Sequence, residues 1–193
     1  MSAESNDERR EDRTGLVFAI DNHIVDGETS AELELKRLNK DGWIELVLTD
    51  VTRTEWLAAK PERRQELEEL AIGYVEYWGP MVVGQPRLGG TVLGSSEDQE
   101  RLEAVFSALF PDADFRTGRT QHVRDAMNVA TAIRYGLNGF ITRDGIGEKR
   151  GVLDRADAIK AAFNDFSIYS PEQAVAVAER MIQRWSVRNE KGR

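Results

Sequence analysis

The chain alternates short, wholly apolar runs with longer stretches in which apolar residues recur every three or four positions. After a densely charged opening, Leu16-Val17-Phe18-Ala19-Ile20 is an unbroken apolar run of strand length. Such a run suits a central strand covered on both faces. It stops at Asp21-Asn22-His23. Thr29 with Glu32 three residues on has capping-box spacing, Leu35 and Leu38 follow at helical spacing, and Lys40-Asp41-Gly42 ends that helix. Residues 43–48 read as a second strand, leading through Thr49–Glu55 into Trp56-Leu57, with Glu55 opening a helix. Pro61 stands at the favoured first position of another helix, whose face is expected to carry Leu67, Leu70, Ala71, Tyr74 and Trp78.

Residues 79–94 hold five glycines and two prolines, the composition of a loop or small hairpin, and the stretch 79–118 reads as an insertion. Ser95-Ser96 cap a helix that turns Leu102, Val105, Phe106 and Leu109 inward and ends at Pro111. A further helix is expected over 120–135, with Val123, Met127, Ala130 and Ile133 on its apolar stripe and Gly136 closing it. A short strand at 139–142 ends in Arg143-Asp144. A charged helix at 153–163, a last strand at 166–169 and a helix starting at Ser170-Pro171-Glu172-Gln173 complete the pattern. The final helix buries Val175, Ala178, Ile182 and Trp185.

Strand and helix alternate, which predicts an α/β fold: a three-layer sandwich with a mainly parallel central sheet flanked by helices. At 193 residues the length fits one domain, over 15–186, with a flexible charged tail at 1–14 and a second tail at 187–193. No stretch approaches the roughly 20 apolar residues of a membrane helix, and the opening lacks the apolar core of a secretion signal. The absence of cysteine removes disulfides, thiolate catalysis and sulfur-ligated metals, and a cytoplasmic location is expected. The formal charge is -8. Bulk attraction for a polyanion is therefore absent, and any nucleic-acid role must rest on a local basic patch or on bound cations.

In a parallel sheet, ligands bind outside the carboxyl ends of the strands. Asp21 follows the first strand directly. Glu55 follows the second by a few residues, and Asp144 follows the 139–142 strand. Asp125 is expected in the first turn of the helix feeding that strand, so its end of the helix lies at the same edge. Each acid alone is also a common helix-start residue, favoured there by the helix dipole. Together they repel: two unit charges 4 Å apart cost about 4 kcal/mol at an effective dielectric near 20. Oxygen-only ligation suits Mg²⁺ or Mn²⁺, which activate water and stabilise phosphate oxygens in phosphodiester hydrolysis.

Four segments carry a family resemblance: residues 17–22 (VFAIDN), 51–56 (VTRTEW), 124–132 (RDAMNVATA) and 136–144 (GLNGFITRD). They resemble the signature segments of the PIN-domain nucleases, and the likeness covers about residues 15–175. The resemblance implies a divalent-metal-dependent endoribonuclease. Asp21, Glu55, Asp125 and Asp144 would be its acidic tetrad, with Mg²⁺ or Mn²⁺ as cofactor. Thr142 would line the site. Beside the resemblance, Asn22 is expected to take a supporting hydrogen-bonding role, and Arg143, adjacent to Asp144, to contact substrate phosphate. The resemblance also implies RNA as partner and, for the toxin members of toxin–antitoxin pairs, an antitoxin protein and a homodimer. Asn22 and His23 stand where the family usually has Thr or Ser and then Asn. The competing readings are a PIN-fold module that binds RNA or protein without cleavage, and a DNA or flap-type nuclease. His23 beside the proposed site, His122 one turn before Asp125, and Arg53, Arg119 and Arg124 are further candidates for phosphate or carboxylate contacts.

Overall fold

A computed structural model of the chain describes residues 14–57, 59–81, 92–147 and 151–191. Five parallel strands form its sheet: β1 (Leu16–Ile20), β2 (Ile44–Thr49), β3 (Val75–Tyr77), β6 (Gly139–Ile141) and β7 (Ser167–Tyr169). Their order across the sheet is β3-β2-β1-β6-β7. β1 is central: Phe18 pairs in register with Leu46 of β2 on one side and Gly139 of β6 on the other. Eight helices are present among the described residues: α1 (Asn22–Val25), α2 (Ser30–Lys40), α3 (Asp50–Leu57), α4 (Pro61–Leu70), α5 (Ser96–Leu109), α6 (Thr120–Arg134), α7 (Ala156–Ala162) and α8 (Pro171–Lys191). No helix among the described residues is long and apolar enough to cross a membrane.

The strand alternation sorts the core into two layers. Leu16, Phe18 and Ile20 of β1, with Ile44, Leu46 and Leu48 of β2, pack beneath α2 and α8 together with Trp56, Ala174 and Ala178. Ala19 and Val47 face the other way, against Leu102, Val105 and Phe106 of α5, Val123, Met127 and Ala130 of α6, and Ile159 of α7. Side chains two apart along a strand share a face, so a continuous apolar run supplies both layers at once. This is the expected three-layer α/β sandwich.

The local signals act as capping chemistry dictates. Thr29 and Glu32 close the capping box of α2, and Ser95 and Asp98 that of α5. Four expectations change. The helix opened by Pro61 ends at Leu70, and Gly73 at φ +99° turns the chain so that residues 75–77 form the edge strand β3 instead of two more helical turns. Pro80–Met81 (β4) pairs with Val92–Leu93 (β5) in parallel, which is not a hairpin; residues 82–91 of the expected loop lie outside the described residues. The expected 153–163 helix divides into a 3₁₀ turn at Val152–Arg155 and α7. Finally, α8 continues to Lys191, so the supposed C-terminal tail from 187 is helical that far. The expected N-terminal tail lies almost wholly outside the described residues.

Candidate functional site

Three of the four predicted carboxylates follow strands that end at one edge of the sheet, and α6 brings its first turns to the same edge. Asp21, Glu55, Asp125 and Asp144 line a single open cleft of about 660 Å³, together with Asn22, His23, Gln121 and Arg143. Two positions differ from expectation. Glu55 lies in the last turn of α3, which begins at Asp50, so the acid does not open the helix. Asp125 is in the second turn of α6, which begins at Thr120. Neither acid is therefore a helix-start residue, and the dipole explanation for their presence loses its force.

Each carboxylate is held by a neighbour. Asp21 continues the sheet, its backbone N–H donating to the Ile141 carbonyl at 2.9 Å. Its Oδ1 accepts from the Asn22 N–H at 2.6 Å, and its Oδ2 accepts from Thr142 Oγ1 at 2.7 Å. Thr142 is fully buried, beneath the cleft, and its Oγ1 also accepts from the Asp144 N–H at 3.0 Å. Asp144 Oδ2 accepts from the Val152 N–H at 2.9 Å. Gly151 packs directly on it: a Cβ there would come within 2.6 Å of Asp144 Cγ and 2.4 Å of Gly145 N. Asn22 accepts a hydrogen bond at Oδ1 from Trp56 Nε1, fastening the first segment to α3.

Gln121 joins the other two acids. Its Nε2 donates to Asp125 Oδ1 at 2.8 Å and reaches Glu55 Oε1 at 3.4 Å. Beneath them, Thr49, Thr52 and Asn128 form a buried hydrogen-bonded group between α3 and α6. It fixes how these helices face each other and thus where Glu55 and Asp125 stand. Nothing in the sequence separates Gln121 from an ordinary surface residue. The only available cue is its spacing of four from Asp125, which places both on one helical face.

Burial pushes the Asp125 carboxyl up to about 7; the charges of Asp21, Asp144 and Glu55 add to this, and the Gln121 hydrogen bond opposes it. Glu55 is also raised, by burial and then by the Asp21 charge, against Gln121, Arg124 and His23. The cleft thus holds more negative charge than the chain neutralises.

Among the described residues, no three acidic or histidine side chains stand together as a ready ligand set for a metal ion. The donor chemistry nonetheless fits a hard divalent cation: four carboxylates, no sulfur, and Asp125 with a proton affinity raised by burial and by its acidic neighbours.

Arg143 lines the cleft and reaches Glu32 Oε1 at 3.4 Å, Glu32 being fully buried at the start of α2. Arg53 is elsewhere, paired with Glu76 of β3 at 2.7 Å. Arg119 is the N-cap residue of α6, and Arg124 acts on Glu55 by its charge. His122 does not orient Asp125; its ring lies against Phe110 on the far side of the α6 start.

The fold and the cleft define an α/β sandwich with four carboxylates gathered at the carboxyl edge of its sheet. The chain matches no protein-family model and no curated protein.

Proposed function

We propose that this protein is a divalent-metal-dependent endoribonuclease that hydrolyses RNA phosphodiester bonds at the carboxylate cleft. The observation that carries the reading is the convergence of Asp21, Glu55, Asp125 and Asp144, drawn from four separate segments, on one open cleft. The resemblance of those same segments to the PIN-domain nucleases supports it, and supplies the choice of RNA.

Asp21, Asp125 and Asp144 would hold the main cation, Mg²⁺ or Mn²⁺, with Glu55 acting through water or a second cation. When bound, such a cation activates water and offsets charge on the phosphate oxygens. The chain's own residues do the positioning. Thr142 fixes Asp21 and Asp144 relative to each other, the Val152 N–H holds Asp144, and Gln121 sets Asp125 beside Glu55. Arg143 presents a guanidinium in the cleft while buried Glu32 anchors it, suiting it to a phosphate oxygen. With a chain charge of -8 and a cleft rich in carboxylates, attraction for RNA would depend on the bound cation and on Arg143.

The test is incubation of purified protein with a structured RNA and a DNA of the same sequence, in Mn²⁺, Mg²⁺ or EDTA, alongside Asp144→Asn. RNA cleavage that needs metal and disappears in the variant is the expected result. Equal cutting of DNA would move the assignment to a general or flap-type nuclease. Binding of RNA by folded protein without cutting in any metal would make it a binding module.

A further inference from the structure

Beside the carboxylate cleft lies a second cavity, of about 680 Å³, that the proposed chemistry does not use. Phe110 and Asp112 form one wall, His122 of α6 a second, and Gly151, Asp154 and Arg155 a third. The two spaces share their partition. Gln121 lines the cleft and His122, the next residue, lines the cavity; Gly151 lines the cavity and packs against Asp144, which lines the cleft. The second space therefore adjoins the proposed place of the scissile phosphate across this partition.

The cavity has the equipment for a flat heterocycle. Phe110 and His122 stack face to face, centroids 4.1 Å apart and planes 9° from parallel. His122 Nδ1 is sealed from solvent without a hydrogen-bond partner among the described residues, so hydrogen bonding does not set the place of this ring in the stack. Asp112 is exposed, and among the described residues neither it nor Arg155 is held in an ion pair. An aromatic platform edged by a free carboxylate suits a base whose rim carries adjacent donors. Guanine, with N1–H and N2–H₂ side by side, offers two to one carboxylate. Pockets of about 300–1,000 Å³ are the ordinary size for small-ligand sites.

We propose that this cavity is a nucleobase subsite, favouring guanine, for a nucleotide adjoining the scissile phosphate. The inference rests on the ribonuclease reading, and it assigns Phe110, His122 and Asp112 to substrate selection.

The chain has two histidines, so ¹⁵N-histidine labelling of the full protein gives two ring signatures, from His23 and His122. Titration with the four nucleoside 5′-monophosphates and with ribose 5-phosphate, all in EDTA, requires no catalysis. The expected result is a saturable shift of the His122 ring that is strongest with GMP and absent with ribose 5-phosphate. Phe110→Ala weakens the midpoint about tenfold, the scale of losing one base-stacking partner. Asp112→Asn, a near-isosteric change at an exposed position, narrows the gap between GMP and UMP. Silence of His122 with every mononucleotide overturns the proposal, as does an equal shift with ribose 5-phosphate. A guanine preference unchanged in Asp112→Asn removes Asp112 from it. A positive titration in a protein that cuts no RNA refutes the nuclease reading while leaving a base-binding cavity, so the two failures are distinct.

Discussion

Thr142 Oγ1 donates to Asp21 Oδ2 at 2.7 Å, joining two residues 121 positions apart in the chain. The same oxygen accepts from the Asp144 N–H, so one buried hydroxyl spaces two of the four acids. Thr142→Val keeps the shape and removes both bonds, leaving the part-buried Asp144 N–H and Asp21 Oδ2 without these partners. The expected cost is about 1–3 kcal/mol of stability in urea denaturation, with a larger loss of RNA cleavage than of RNA binding. Thr142→Ser retains the hydroxyl and is expected to restore most of both. Equal cleavage by the Val variant and the parent would remove Thr142 from the site.

Much of this arrangement is legible in the sequence because it follows strand ends. The run Leu16–Ile20 announces β1 and places Asp21 at its end, and the 139–142 strand does the same for Thr142 and Asp144. Both readings need only the local pattern. β3 escapes it because Leu67, Leu70, Ala71, Tyr74 and Trp78 keep helical spacing straight through the turn, and three residues are too few to impose period two. Gly73 is the one local sign of the break. Gln121 and Gly151 escape for another reason. Their roles depend on which residues the fold sets opposite them, Glu55 in one case and Asp144 in the other, and the sequence near them does not encode that.

Gly151 is packed against Asp144 so closely that Gly151→Ala must move one of them. The added Cβ would meet Gly145 N at 2.4 Å, Asp144 C at 2.5 Å and Asp144 Cγ at 2.6 Å, and most of that is backbone. Its own φ is not in the left-handed region, so the conflict is steric only. Overpacking of this kind costs roughly 1–3 kcal/mol. A lowered melting temperature with cleavage falling at least tenfold is expected. Normal melting with normal cleavage would mean that the 151 loop yields freely and does not position Asp144.

Gln121 holds two carboxylates with one amide, and its hydrogen bond acts to lower the proton affinity of both Asp125 and Glu55. Gln121→Leu removes that donor. Both carboxyls then titrate higher, and the acid limb of the cleavage-rate profile moves to higher pH. A lost hydrogen bond of about 0.5–1.5 kcal/mol corresponds to a displacement of up to roughly one pH unit. The variant is expected to fall furthest behind at low pH and to recover toward pH 8. A uniform loss across the profile would assign Gln121 to substrate contact instead.

Asp125 makes the sharpest linkage prediction for the metal-free protein. Its carboxyl titrates at about 7 when folded, against an ordinary 3.8, so between those values the native state binds more protons than the unfolded chain. Stability therefore falls as pH rises from about 4 to about 7, and the penalty is complete above 7. The cleft is open to solvent, which limits the effect to the order of 2 kcal/mol. Asp125→Asn has no such titration. In EDTA the variant is expected to match the parent near pH 4 and to exceed it by that order at pH 8, while losing RNA cleavage in Mn²⁺ entirely. The comparison is a pair of denaturation series across pH. If the variant is less stable than the parent at pH 8, the Asp125 carboxylate supports the fold, and burial with the neighbouring charges does not raise its proton affinity in the native state.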